Sequence, residues 1–156
     1  MAKVNMKFKG KSPSKMAYEI ETKAKKAVLE QIKVAALEQF DDSFDKQGFE
    51  GSPWKPRKAP LTGLKSWDKW NSGRAVLIGQ GGQGGLRGSI KGTIIQRSGI
   101  VRVASNKVYA AVHNEGLRAG RGRGFTMPKR QFIGDSAGLM RKIEGIIHRN
   151  INPILK

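Results

Sequence analysis

One helical pattern sustained from Ser12 to about Lys46 constrains this chain more than any other feature. Ser12-Pro13-Ser14 opens it, placing a capping hydroxyl beside a proline suited to a first helical turn. Met16, Ile20, Ala24, Ala27, Val28, Ile32, Ala35, Gln39, Phe40 and Phe44 then keep roughly helical spacing. Gly48 is read as its end. The apolar stripe is narrow and contains alanines, so the helix can lie close against a sheet or a neighbouring subunit. Ordinary core is the reading taken for it. Glu38, Asp41, Asp42 and Asp45, towards the end of the pattern, read as solvated. A chain of 156 residues suits one domain, spanning 1–156, with a single modest core.

The later segments supply the rest of an α+β fold. Ser89–Gln96 and Ile100–Ala104 are rich in β-branched residues and are joined by Arg97-Ser98-Gly99, a turn, so they form a hairpin. The strand pattern continues through Asn106-Lys107 into Tyr109, and Ala75-Val76-Leu77-Ile78 is also strand-like. Asp135-Ser136 caps a last helix that carries Leu139, Met140, Ile143, Ile146, Ile147 and Ile151 on one face and is broken by Pro153. Met1–Lys11 alternates lysines with Val4, Met6 and Phe8, a short strand with one apolar face rather than a signal peptide. The expected architecture is a long N-terminal helix and a shorter C-terminal helix packed on an antiparallel sheet, with long extended loops.

One such loop is a basic arm over about 49–88. Pro53, Pro56 and Pro60 deny it regular structure, while Trp54, Trp67 and Trp70 stand among Lys55, Arg57, Lys58, Lys65 and Lys69. Aromatics interleaved with cations can stack on single-stranded bases. They can equally pin a long loop to its own core or to a partner subunit, and pinning is the reading taken. The second loop lies within Tyr109–Gly134, YAAVHNEGLRAGRGRGFTMPKRQFIG. Its middle, about 116–126, offers Gly116, Gly120, Gly122 and Gly124 without side chains, and Arg118, Arg121 and Arg123 that need solvent or an anionic partner. Its flanks can pack. The stretch therefore reads as an ordered frame around a mobile basic loop.

Tyr109-Ala110-Ala111-Val112-His113-Asn114-Glu115-Gly116 and Met127-Pro128-Lys129-Arg130-Gln131-Phe132-Ile133-Gly134 resemble the paired elements of the phage virion morphogenesis family, the tail-completion proteins of tailed bacteriophages. Phe49-Glu50-Gly51-Ser52-Pro53-Trp54 is similar to that family's Gly-x-x-Trp element. Val76-Leu77-Ile78 through Leu86-Arg87-Gly88-Ser89-Ile90 is similar to its glycine turn. Gln131 stands where a proline is commoner, and the Gly79–Gly85 run is longer than expected. The resemblance implies a structural virion protein that completes the tail or neck at the head–tail junction. It implies a homo-oligomer, a hexameric ring, with tail-tube and connector proteins as partners. Its place would be the virion, after assembly in the host cytoplasm.

Charge is concentrated in the middle of the chain. Of a formal +18, residues 1–50 contribute +2, residues 135–156 contribute +2, and residues 51–134 contribute +14, with Asp68 and Glu115 their only acids. Random surplus lysine should not avoid both ends, so the excess reads as a face for nucleic acid or for an acidic protein surface. The resemblance implies that the nucleic acid would be DNA passing through the channel of a ring. Arg118, Arg121, Arg123, Lys129, Arg130, Lys55, Arg57 and Lys58 are the expected contact residues. Trp54, Tyr109, His113, Gly116, Pro128 and Phe132 are the expected anchors. A plain nucleic-acid-binding protein is the alternative.

Catalytic and cofactor signals fail on inspection. Gly79-Gln80-Gly81-Gly82-Gln83-Gly84 matches G-x-G-x-x-G, but a strand pattern follows it where a dinucleotide site needs a helix. No acid stands ~20 residues on for a ribose, so no cofactor is expected. His113 with Glu115 is too few ligands for zinc, and His148 adds none by spacing. His113 reads instead as a hydrogen-bonded residue fixing the turn before Gly116. The absence of cysteine removes disulfides, thiolate metal sites and a cysteine nucleophile. No apolar run approaches the ~18 residues of a membrane span, so no membrane partner is expected. The reading is a non-enzymatic protein.

Overall fold

The computed structural model describes residues 13–56, 75–77 and 85–151. The expected N-terminal strand, Arg57, Lys58, Trp67, Trp70, the Gly79–Gly84 run and Pro153 lie outside the described residues.

Helix α1, Pro13–Asp45, is 33 residues long, and at 1.5 Å per residue it spans about 50 Å. Its end is not made by Gly48. Gln47 takes the left-handed conformation (φ 50°), while Gly48 begins β1 (Gly48–Phe49), which pairs antiparallel with β2 (Ser52–Pro53). A Cβ at Gly48 would lie 2.7 Å from the Ser52 carbonyl oxygen, so this glycine serves a close crossing of chains. Glu50 and Gly51 join the strands with φ of 47° and 79°, the double positive φ of a type I′ hairpin turn. Pro53, expected to break regular structure, sits at the open end of this hairpin opposite Gly48.

Ala75–Leu77 is not a strand. Val76 and Leu77 form a turn, because the Gln47 amide takes over the work of a ladder. Its oxygen accepts the Val76 N–H, and its nitrogen donates to the Val76 carbonyl at 3.3 Å and the Phe44 carbonyl at 2.5 Å. A 3-10 turn, Arg87–Ser89, leads into β3 (Ile90–Ile95), paired with β4 (Ile100–Ser105) from Ile90↔Ser105 to Ile95↔Ile100. The hairpin does not run on to Tyr109. Residues Ala110–Glu115 form a short helix, α2. Strands β5 (Arg118–Ala119) and β6 (Phe125–Thr126) follow, then α3 (Ala137–Ile151). The Ser136 hydroxyl accepts the Leu139 N–H at 3.0 Å, the expected cap. The described strands form three antiparallel pairs.

Packing is organised around α1. The β3–β4 hairpin lies on one side and α3 runs antiparallel on another, tied by Lys142 to Gln39 (2.8 Å) and by Asn150 to Gln31. Near its C-terminal end Phe44 is fully buried. Trp54 meets it edge-on at 5.5 Å and 83°, and Phe132 at 5.5 Å and 44°. Val76, Leu86 and Ala110 complete that cluster. A second cluster joins Ala36, Phe40 and Phe49 to Leu139 and Val103.

Two expectations about charge and core are corrected here. Asp41 and Asp45 are not merely solvated: Arg87 bridges both, with contacts of 2.6 to 2.9 Å, and Lys46 holds Asp42 at 2.9 Å. The α1 stripe is core only in part. Ala35, Phe40 and Phe44 are buried, but Ile20 and Ala27 are exposed, because the hairpin and α3 occupy two sides of the helix and not the third. Met140 and Ile147 on α3 are exposed for a similar reason, while Ile146 is buried.

Replacing Phe44 removes the ring that both other aromatics touch. Phe44→Ala should cost about 3–5 kcal/mol, read as a shift in urea midpoint. Arg87→Ala, which breaks a half-exposed pair, should cost about 1 kcal/mol or less.

Candidate basic interface

The frame of the arginine-rich segment is built from short backbone contacts between α2 and the Met127–Ile133 return. Helix α2 ends at Gly116, whose φ of 73° is left-handed. A Cβ there would also stand 3.0 Å from the backbone nitrogen of Lys129. Glycine is therefore required twice, by conformation and by the crossing strand. The Leu117 carbonyl accepts the Met127 N–H at 3.0 Å, and the His113 carbonyl accepts the Arg130 N–H at 2.8 Å.

The side chain that ties the turn is Asn114, not His113. Its Oδ1 accepts the N–H groups of Phe132 (2.9 Å) and Ile133 (3.0 Å), while its Nδ2 donates to Glu115. One acceptor thus satisfies two main-chain donors with no ladder partner. The sequence carries no local signal for this role, since the two bonds span 18 and 19 residues. The Nδ1 of His113 is buried with no hydrogen-bond partner among the described residues. Burial, and secondarily the charge of Arg130, push its pKa below the usual 6.5, which keeps the ring neutral.

The other anchors divide. Phe132 and Trp54 are buried, and the Trp54 indole donates to the Gln131 carbonyl at 2.7 Å, so arm and return are stitched together. Pro128 is half-buried. Tyr109 is 41% exposed and covers His113 with an edge-on ring contact at 6.1 Å; its neighbour Ala110 enters the core instead. A tyrosine at the start of a six-residue helix lies outside the buried face.

The basic residues divide as well. Arg130, expected on the contact surface, is only 6% exposed. Its Nε donates to the Lys55 carbonyl (2.9 Å) and its Nη2 to the Pro56 carbonyl (3.2 Å). Carbonyls of an irregular proline-containing segment lack ladder donors, and the guanidinium fork provides them. Lys55 and Lys129 are exposed.

The segment expected to be a mobile loop is a small hairpin. Arg118 pairs with Thr126 and Ala119 with Phe125, and Gly120, Gly122 and Gly124 hold positive φ in the turn. Arg118 also donates to the Arg123 carbonyl. Arg118, Arg121 and Arg123 are exposed, and no carboxylate among the described residues pairs with them. Beside them stand Phe125, 56% exposed, and Leu117, 48% exposed, neither of which the sequence reading singled out. Guanidiniums next to an exposed aromatic make a surface suited to recognising another surface. Among the described residues no three of His, Asp and Glu gather as a metal-binding group.

Fold and surface together define a small α+β protein that carries a framed arginine hairpin on a helix-backed core. The family model described as the phage virion morphogenesis family matches residues 14–152, and the chain belongs to that family. It is a virion-associated protein with a part in phage structure or assembly. No curated protein and no solved structure matches the chain.

Asn114→Ala strands two amide donors and should cost about 1–3 kcal/mol in chemical denaturation. His113 is neutral in the fold, so the unfolded chain takes up its proton first as pH falls below about 6.5. Stability should therefore decline as pH falls through about 6.5, and His113→Gln should flatten that slope.

Proposed function

We propose that the protein is a structural, non-enzymatic subunit that completes the tail or neck at the head–tail junction. In this reading it works as a hexameric ring in contact with tail-tube and connector proteins. The observation that carries the reading is the β5–β6 hairpin. Three exposed arginines, none paired with a carboxylate among the described residues, project from a base held by Asn114, Gly116, Trp54 and Arg130. Membership of a virion morphogenesis family supports the setting.

The composition of the tip favours a protein partner. Phe125 and Leu117 gain nothing from a phosphate backbone, but they gain from burial against an apolar patch, at roughly 25 cal/mol per Å². The arginines then select an acidic rim. Contact with DNA in a channel is the lesser role, diffuse and without base reading.

Mixing the purified chain with tail-tube and connector proteins, and imaging the product, tests this. A discrete ring on the tube or connector is the expected result, and Arg121→Glu with Arg123→Glu should abolish it without changing the thermal midpoint. Binding to free DNA alone, with an affinity slope near −0.9 per phosphate contact against salt and no complex with either protein, would favour the nucleic-acid reading and sink this one.

A further inference from the structure

Helix α1 has three sides, and two are occupied. On one, Lys25 lies by Gly99 and Lys33 by Gly92 of the β3–β4 hairpin. On another, Gln31 and Gln39 reach α3. The third side carries Ile20, Ala27 and Val34. Ile20 is 64% and Val34 48% exposed, Ala27 is exposed too, and no element among the described residues covers them.

Residues seven apart on a helix drift by only about 20° per step, so these three form one line some 21 Å long. Single exposed aliphatics are ordinary. A straight line of them, with an alanine in the middle, offers a second helix a narrow apolar strip to pack on.

The flanking charges select the partner. Lys23 lies three residues after Ile20 and four before Ala27; Glu30 lies three after Ala27 and four before Val34. Both stand on the same flank of the strip, where Glu30 also pairs with Lys33 of its own helix while its side chain stays 46% exposed. When two such helices run antiparallel, each flank faces its own counterpart, so a two-fold axis at Ala27 brings Lys23 opposite Glu30 and Glu30 opposite Lys23. In a parallel pair the two flanks differ, and this complementarity disappears. The pattern is complementary to itself in one orientation.

We infer that two copies of this chain pair through the outer faces of α1, antiparallel about Ala27, with Ile20 packed on the partner's Val34. Ala27 lets the two backbones approach closely at the axis. The contact is isologous and closes at two, so it is distinct from a head-to-tail ring contact. One helix face makes a small interface, and the affinity belongs in the weak range.

Sedimentation velocity of the full chain over roughly 1–200 µM tests the inference, since small interfaces dissociate at low concentration. A monomer–dimer equilibrium is expected. Ala27→Glu, which sets two like charges on the axis, should leave monomer. Lys23→Glu alone and Glu30→Lys alone should each weaken the dimer about tenfold, and the two together should restore it. The chain has no cysteine, so Ala27→Cys should cross-link to its own copy under mild oxidation, far faster than Lys26→Cys on another side of the same helix. All four positions are at or near the surface, and far-UV circular dichroism should match the parent in every variant. Monomer at all concentrations, a dimer indifferent to Ala27→Glu and to the charge swap, or equal cross-linking at the two cysteine positions would each overturn it.

Discussion

The burial of Phe44 is the contact on which the rest of the molecule depends. Its ring closes the C-terminal end of α1, and among the described residues two aromatics touch it: Trp54 from the proline-rich arm and Phe132 from the return. Three segments that share no secondary structure are thereby given one position. The polar contacts then add direction to that position. The Trp54 indole reaches Gln131, Arg130 reaches the Lys55 and Pro56 carbonyls, and Asn114 reaches Phe132 and Ile133. Apolar burial supplies the driving force, and directional bonds set the register.

This arrangement changes what the basic composition means. A formal excess of fourteen charges between residues 51 and 134 overstates what a partner meets. Arg87 is bound by two carboxylates of α1, and Arg130 is spent on main-chain carbonyls. Among the described residues, the exposed cations of that region include the hairpin arginines with Lys55 and Lys129 near their base. Charge has been divided between holding the frame and facing outward.

Much of the fold was legible because its signals are local. The long helix announced itself by periodicity and an opening Ser-Pro, β3–β4 by β-branched runs around a glycine turn, and the last helix by the Ser136 cap. Helix α2 was not legible, since six residues form a helix only where tertiary contacts hold them. Nor does periodicity say which side of a helix will be covered, and so Ile20 and Ala27 were assigned to core that never reaches them, while Met140 and Ile147 share an apolar face with the buried Ile146 and stay exposed. The candidate site was legible as a pair of motifs and a charge pattern. The turning inward of Arg130 and the role of Asn114 were not, because both depend on backbone groups left unpaired by irregular neighbours. That condition exists only once the chain has folded.

The crossing at Gly116 also has a mechanical consequence. Both strands of the arginine hairpin leave the body through one narrow waist, where the backbone of Lys129 passes at near-contact distance. The bond from Met127 to Leu117 stands on the hairpin side of that waist, and those from Arg130 to His113 and from Phe132 to Asn114 stand on the body side. A neighbour pulling on the arginine tip therefore loads a series of rungs that ends at the Phe44 ring. Tension at the surface reaches the core along both strands, through Ala110 on one and Phe132 on the other.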